Sequence, residues 1–585
     1  MKKITASRNL VNQYHRLRLH FDDQNEVLTT VDELADALCC TRRNVNLVLQ
    51  KMTLQEWLLW FPSRGRGKRS RLTLLAKDSQ LTVQLAIQTA NNGYLEDAFD
   101  LLNSGSEKAA LFDYLKTQLG FQGSKNQTLR IPYRRSINDL NPATASRMTE
   151  IHMIRQVMDC LIHFDSSQQE MLPHLAHSWR KDISATQWTF FLRPGISFHH
   201  GRPLVADDVK ATLEHLRDFN GPYKFLYRHI QHIHCPTAFT IEINLAHRDH
   251  LFLHLLSKHT SVIQPADLMY KQGFYKQPIG TGPFKVGSRN AFHLELVAHD
   301  QYFKERPLLD RVEILLFTDE AAALDDASDM YFTPISHQQH GNMQHNSKVE
   351  AGYQYLLFNV ENTNSPVQNL PIRRCIRSIV DGQAMVDELG GKRKSAAQRM
   401  LPEWENDTQR LMFQVRPRMP MYIERPLKLY TYSSHIVDAQ WIKKTLASFG
   451  IAVAITVLEF ELFVDPINWL DADLVMSGEV LDDNLEMALY GWFATQPSLQ
   501  HCMGKDQRNI ISKKLDQALA LAKKELRMEA FRDMDIHLQQ ELILLPLYHH
   551  QHQMHHAERV QGHQLNCLGW VNFKDIWFDD GCSDH

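Results

Sequence analysis

The sequence predicts an α/β protein of two unequal parts, a small basic head of the winged helix-turn-helix type and a much larger α/β body. Three observations predict it. Residues 1–77 carry 14 Lys and Arg against 7 Asp and Glu, whereas the remainder carries 50 against 60. Within Thr30–Met52 a capped helix, a short turn and a second helix with a cationic start follow one another. From Leu129 onward strand-like and helical patterns alternate to the C-terminus. A basic head on an acidic body points to a nucleic-acid contact confined to the N-terminus.

In the head, Leu10, Tyr14, Leu17 and Phe21 fall on one helical face, and Asp22–Asn25 reads as a loop. Thr30-Val31-Asp32-Glu33 has the pattern of a capping box, with a hydroxyl for the Glu33 N–H and a carboxylate that reaches back. Val31, Leu34, Ala35 and Leu38 form the buried stripe behind it, Cys39-Cys40 make a turn that buries them, and Thr41 caps a second helix with stripe Val45, Val48, Leu49 and Met52. The start of that helix exposes Arg42, Arg43 and Asn44, with Asn46 close by. A recognition helix meets the major groove at this end, where Arg reads guanine and Asn reads adenine. Trp57–Phe61 and Leu72–Leu75 flank the basic stretch Ser63–Arg71, which has five cations and two glycines in nine residues. Apolar run, basic glycine-containing loop, apolar run reads as a hairpin wing. Arg42, Arg43, Asn44 and Asn46 are the base-reading candidates; Arg64, Arg66, Lys68 and Arg69 are the phosphate and minor-groove candidates. The expected partner is duplex DNA.

Residues 78–127 read as a helical connector, with helices over Leu81–Ala90, Leu95–Leu102 and Lys108–Leu119. A rigid spacer, a dimer contact and a satellite of the core all fit it. Residues 128–585 form the body. Its most specific stretch is Trp188–Val209: an alternating strand to Leu192, a Pro-Gly turn, a second strand, a tight turn at Gly201, then a helix with Asp207 and Asp208 in its first turn.

Trp188–Val209, reinforced by Pro278–Phe284, Asn359 and Pro371–Ile376, resembles the signature of the family 5 oligopeptide- and nickel-type extracytoplasmic solute-binding proteins. Such a body behind a winged helix-turn-helix resembles the SgrR-type transcriptional regulators. Gly65–Thr73 and Asn566–Lys574 are similar to that group's wing and C-terminus. The resemblance implies a two-lobed, periplasmic-binding-protein-like (type II) body, with one lobe from about 128–358 plus 546–585 and the other from about 359–545. It implies a cytoplasmic regulator of a sugar-phosphate stress or sugar-transport response, sensing a small metabolite such as a sugar phosphate. The runner-up is a binding component of a peptide- or nickel-type transporter whose head contacts protein.

The sequence departs from the transport-type pattern in two places. Val205 stands where a Thr usually opens the helix. The second-lobe Asp-Tyr and Asp-Pro pattern that can hold a peptide amine is matched only by Glu479-Val480-Leu481-Asp482-Asp483, which keeps a carboxylate and loses the aromatic and the proline. That points away from a peptide. Inter-lobe sites favour aromatics and a few convergent polar groups, so Trp404, Glu479, Trp492 and, for an anionic ligand, Arg373 or Arg374 are the ligand candidates.

Other classes find little support. No apolar core follows Met1-Lys2-Lys3, so no secretory signal or membrane contact is expected. The 31 histidines and eight cysteines show neither HExxH nor CxxC spacing. Adjacent His199-His200 on a strand point to opposite faces. Neither a metal nor a cofactor is expected. No nucleophile elbow or phosphate loop is present, and a non-enzyme is expected. A homodimer would match a repeated operator and is left open.

Overall fold

The computed structural model of the protein describes residues 8–21, 26–63, 68–92, 94–116, 120–122, 127–133, 136–316, 330–331, 343–405, 423–557, 560–562 and 571–579. The expected loop at Asp22–Asn25 and the wing residues Arg64 and Arg66 lie outside the described residues.

The head comprises α1 (Arg8–Phe21), β1 (Val27–Thr29), α2 (Val31–Ala37), α3 (Arg42–Leu54), β2 (Leu58–Phe61) and β3 (Ser70–Leu74). The capping box is present: the Glu33 N–H donates to the Thr30 hydroxyl at 3.2 Å, and the Thr30 N–H donates to the Glu33 carboxylate at 3.1 Å. Thr41 stands at the N-cap of α3, but its exposed hydroxyl makes no cap bond. The turn is tight for a backbone reason, since Cys39 sits in the left-handed region at φ 50. Cys39 is exposed and Cys40 half-buried, so the turn does not bury the pair as expected. The hairpin β2–β3 forms the wing, and β1 pairs with the other edge of β3. A strand of three residues is too short to show an alternation in sequence. Leu10, Tyr14 and Leu17 of α1 close the head core with Leu34, Val45, Leu49, Met52, Trp57 and Leu72. The Tyr14 hydroxyl reaches the Ala76 carbonyl at 2.8 Å, which ties α1 to the base of the wing.

The connector helices are α4 (Asp78–Asn91), α5 (Leu95–Asp100) and α6 (Gly105–Lys116). Helix α4 serves two cores. Leu81 and Leu85 pack in the head, while Ala86 and Ala90 pack with α5, α6 and the body residue Leu315. The body's Phe292 stacks on Phe99 at 4.9 Å, meets Phe112 edge-on at 5.9 Å, and lies under the Lys108 ammonium at 4.8 Å. The connector is therefore a bridge docked on both neighbours.

The body's first sheet has the order β12-β13-β14-β5-β4, from β4 (Gly120–Gln122), β5 (Thr128–Tyr133), β12 (Phe284–Arg289), β13 (His293–Ala298) and β14 (Arg311–Leu316). Against it pack α7 (Met148–Val157) and the returning residues Val571, Phe573 and Ile576. A small hairpin pairs β6 (Ile162–Asp165) with β7 (Glu170–Pro173). A four-stranded sheet, β10-β11-β9-β8, is built from β8 (Ala176–Lys181), β9 (Gln187–Leu192), β10 (Ile230–Thr237) and β11 (Thr240–Leu245), with α8 (Ala206–Asp218) beside it. The expected second strand after the Pro-Gly turn is a single bridge, Ser197 to Pro203. Although Val205 cannot cap α8 through its side chain, the Asp208 carboxylate accepts the Val205 N–H at 3.1 Å and is gripped by Arg202.

The other lobe is organised by a larger sheet of order β15-β22-β17-β21-β19-β20 among the described residues. Its strands are β15 (Met330–Tyr331), β16 (Met343–Val349), β17 (Gln354–Phe358), β18 (Arg393–Ala396), β19 (Leu427–Tyr432), β20 (Val453–Leu458), β21 (Leu474–Gly478) and β22 (Leu544–Ala557). Strands β16 and β18 also pair with β22. The expected limits at 358 and 546 cut through this sheet. β17 and β22 hydrogen-bond to each other, and β17 to β21, so these crossing strands sit in the second lobe's sheet.

Candidate functional site

The head carries one candidate face. Because Val45, Val48, Leu49 and Met52 turn inward, Arg42, Arg43, Asn44 and Asn46 are left exposed along the start of α3. Leu47 and Gln50 are exposed on the same side, and sequence reasoning passed over both. Leu47, 52% exposed, is an apolar group on a polar face and suits a thymine methyl. The head's cations are lightly held. Arg42 pairs with Asp32, the two being 72% and 59% exposed. Arg69 stands 3.6 Å from Glu33, and Lys68 and Arg69 are both exposed at the base of the wing. Hydrogen bonds from Thr29 and Thr30 hold the Glu33 carboxyl below its ordinary range.

The body carries the other. A cavity of about 920 Å³ lies between the lobes. The signature segments brace its first-lobe wall from behind, and of them only Pro283 lines the cavity. His199 takes the Gly280 N–H on Nδ1 at 3.2 Å and meets the Gly282 carbonyl through Nε2 at 3.0 Å. The glycines are required because a Cβ at Gly280 would lie 2.1 Å from the Val157 carbonyl. So the loop presses on the end of α7, and Thr281 donates to Asp159 at 2.9 Å. Asp159 also receives His174 Nε2 at 2.8 Å and the Tyr302 hydroxyl at 3.2 Å. Burial resists its ionisation, but these donors and the His174 charge hold its carboxyl below the ordinary range.

Asp482 bridges the cavity from the second lobe. Its two oxygens accept both terminal nitrogens of Arg155 on α7, one at 3.3 Å. Burial opposes the charge on Asp482, and Arg155 outweighs it, leaving the carboxyl well below its usual range. Around this pair, Asn484 bonds His254 at 2.8 Å and Ser257 at 3.2 Å, and Arg228 bonds Asp516 at 2.5 Å. These contacts join the two lobes. Lys258 stands near Asp482 and Glu479, and burial lowers its pKa.

The ligand candidates named from sequence are dispersed. Glu479 is enclosed and accepts from Gln496 at 2.6 Å; burial, opposed by Gln496 and Lys258, raises its carboxyl to about 7. Trp492 is buried edge-on to Tyr353 and Tyr355 in the core. Trp404 is half-buried against that core. Arg373 spends its guanidinium on the carbonyls of Val367, Gln368 and Glu541, and Arg374 is exposed on the same helix. None of the five lines the cavity, so the anion-binding expectation for Arg373 and Arg374 does not fit their placement. The lining cations are Arg155, Lys258, Lys304, Lys348 and Lys574. They come from separated parts of the chain, and only the stretch Glu479–Asp483, singled out for its carboxylates, pointed toward the cavity.

A winged helix-turn-helix, a docked connector and a two-lobed body define a class, the one-chain regulator with a solute-binding-protein-like body. Comparison with known proteins agrees. Residues 9–127 match the family model described as sugar transport-related sRNA regulator N-term, and residues 170–413 match bacterial extracellular solute-binding proteins, family 5 Middle. The chain is 30% identical over 580 residues to the HTH-type transcriptional regulator SgrR of Yersinia pseudotuberculosis, covering 98% of this chain and 99% of the relative. It is 29% identical over 589 residues to SgrR of Pectobacterium atrosepticum, with 98% and 99% covered. Among solved structures it is similar to the oligopeptide-binding protein AppA of Bacillus subtilis (TM-score 0.65, 16% identity, 79% of this chain and 100% of that one). It is also similar to NikA of Brucella suis (TM-score 0.63, 17% identity, 77% and 100%). The chain belongs to the SgrR family of HTH-type transcriptional regulators.

Proposed function

We propose that the protein is a cytoplasmic, non-catalytic regulator that binds duplex DNA through Arg42, Arg43, Asn44, Asn46 and the wing, and closes its body on a small metabolite. The relatives' place in sugar-transport regulation makes a sugar phosphate the first ligand to test. Among the described residues no helix is long and apolar enough to cross a membrane.

The observation that carries the reading is the connector. Helix α4 shares one core with the head and another with Leu315 and Phe292 of the first lobe. The head is thus fixed to the lobe that supplies α7, while Asp482 reaches α7 from the second lobe. Opening and closing the cavity moves the second lobe relative to the unit of head, connector and first lobe. A metabolite shifts this equilibrium only by its differential affinity for the closed state. The changed presentation of the second lobe then alters how the head is offered to DNA or polymerase.

Fluorescence anisotropy of the full chain on its own upstream DNA, across a salt series and with or without glucose 6-phosphate, tests the reading. Sequence-specific binding altered by the sugar phosphate supports it. Binding no tighter than to random DNA under every condition contradicts it.

A further inference from the structure

We propose that Lys304 and Lys574 form an anion subsite of the inter-lobe cavity, for a small polyhydroxylated molecule bearing a phosphate or a carboxylate. The proposal rests on the ligand-responsive reading above and names the ligand's chemistry.

The cavity's cations are unequally neutralised. Arg155 is bonded by Asp482, and Lys348 lies 3.5 Å from Asp483. Lys258 stands beside Asp482 and Glu479. Lys304 is half-buried and makes no hydrogen bond or close ion pair among the described residues, and the Asp159 and Glu305 charges reach it only from a distance. Lys574 has Glu305 at 3.7 Å, but that carboxylate is 87% exposed to water. The two ammoniums also act on each other: burial and the Lys574 charge both lower the pKa of Lys304. Glu305 acts on both ammoniums from its water-exposed position, and an anion within the cavity would offset their mutual repulsion more fully.

The fold imposes the juxtaposition. Lys304 follows Tyr302, which is anchored on Asp159, and Phe303, which packs against His174 at 5.2 Å. Lys574 follows Phe573, buried in the first-lobe core. The nearby carboxylates are engaged, Asp159 by His174, Thr281 and Tyr302, and Asp575 by the Asn572 amide at 2.5 Å.

Two further groups on the same wall specify the rest of the ligand. His174 is 8% exposed, and its Nδ1 has no partner. Nε2 is taken by the Asp159 carboxylate, which leaves Nδ1 as the ring atom a ligand hydroxyl can meet. Gln156 is 3% exposed, and its Oε1 has no partner either. Buried polar atoms left unmet are costly. Hydroxyl groups on the ligand would satisfy both while its anionic end meets the lysines.

Isothermal titration calorimetry of the full chain with glucose 6-phosphate, gluconate and glucose tests the subsite. The intact chain should bind at least one anion roughly tenfold or more tighter than glucose, the scale of one charge-assisted hydrogen bond. Lys304→Gln/Lys574→Gln should lose that preference while keeping the parent's melting temperature. Lys444→Gln, an exposed lysine on the outer face of the second lobe, should keep the preference. The tighter of the two anions assigns phosphate or carboxylate. Equal binding of glucose and anions, retention of the preference by the double variant, or no binding of either anion overturns the subsite. DNA affinity measured on the same samples keeps the two readings apart. Operator binding that responds to another metabolite with both lysines dispensable removes the subsite and leaves the regulator standing.

Discussion

Two arginine–aspartate pairs sit at the two working surfaces of this molecule, and they differ in one respect. Arg42–Asp32 on the head is open to water, at 72% and 59% exposure. Arg155–Asp482 spans the cavity, at 29% and 17%. An exposed pair is worth about 0–1 kcal/mol and is screened by salt. An enclosed pair is held by low dielectric, and breaking one side of it strands the other charge. The head's arginine is therefore lightly held, as the proposed contact with a phosphate or a guanine requires. The body commits its arginine to holding the lobes together. The same two residue types thus form an exposed pair on the head and an enclosed pair between the lobes, and their burial differs.

Substitution should separate the two roles. The largest effect is expected on the head's target. Arg42→Ala/Arg43→Ala should weaken operator binding by roughly 30-fold or more, from two base contacts of about 1–3 kcal/mol each, with the melting temperature unchanged. An undiminished affinity in anisotropy would remove these residues from the interface. Next, Asp482→Asn should cost the body roughly 1–3 kcal/mol in chemical denaturation, less than the about 3–5 kcal/mol of a fully buried pair. It should also expand the free protein in X-ray scattering. A variant as compact and stable as the parent would show that the clasp is ornamental. Asp32→Asn is the counterpart on the head. It should leave stability within about 0.5 kcal/mol and strengthen DNA binding a few-fold by releasing Arg42. Weaker DNA binding would mean that Asp32 orients the arginine instead.

The smallest effect concerns Glu479. Burial raises its carboxyl from the ordinary 4.5 to about 7 in the folded chain. The folded state then holds the proton more tightly than the unfolded state between those values, so this group's contribution falls as pH rises through that window and is level above it. Glu479→Gln should gain stability relative to the parent as pH rises from about 4.5 to about 7. Parallel curves for the two proteins would place Glu479 in a more solvated setting. Lys258, Gln496, Tyr223 and Tyr355 surround it and are unaltered in the comparison.

The same contrast explains what could be read from the sequence. The head's chemistry is contiguous. Thr30 and Glu33 cap one helix, the stripe of α3 leaves Arg42, Arg43, Asn44 and Asn46 outside, and the two strands of the wing flank its cations. Periodicity alone finds these. The body's fold was legible because Trp188–Val209 and Pro278–Phe284 carry a recognisable run of strand, glycine turns and helix start, and the structure shows them joined by His199. The cavity was not legible. His174, Arg155, Lys258, Lys304 and Lys574 share no spacing, and only the folded chain brings them to one wall. Aromatic content pointed to Trp404 and Trp492, of which Trp492 fills the core and Trp404 packs half-buried against it. The adjacent Arg373 and Arg374 suggested an anion site, but one serves carbonyls and the other faces water. Glu479–Asp483 was the right stretch for a different reason: Asp482, not Glu479, crosses to the opposite lobe.

The central claim is that occupancy of the body changes what the head does. The most direct test is the operator affinity of the full chain, by anisotropy, with and without saturating glucose 6-phosphate, in the parent and in Phe292→Ala. The affinity should depend on ligand in the parent, and that dependence should be lost in Phe292→Ala, where the connector's aromatic seat on the first lobe is removed. Operator binding that is identical with and without the sugar phosphate, or a ligand response that survives intact in Phe292→Ala, would contradict the central claim.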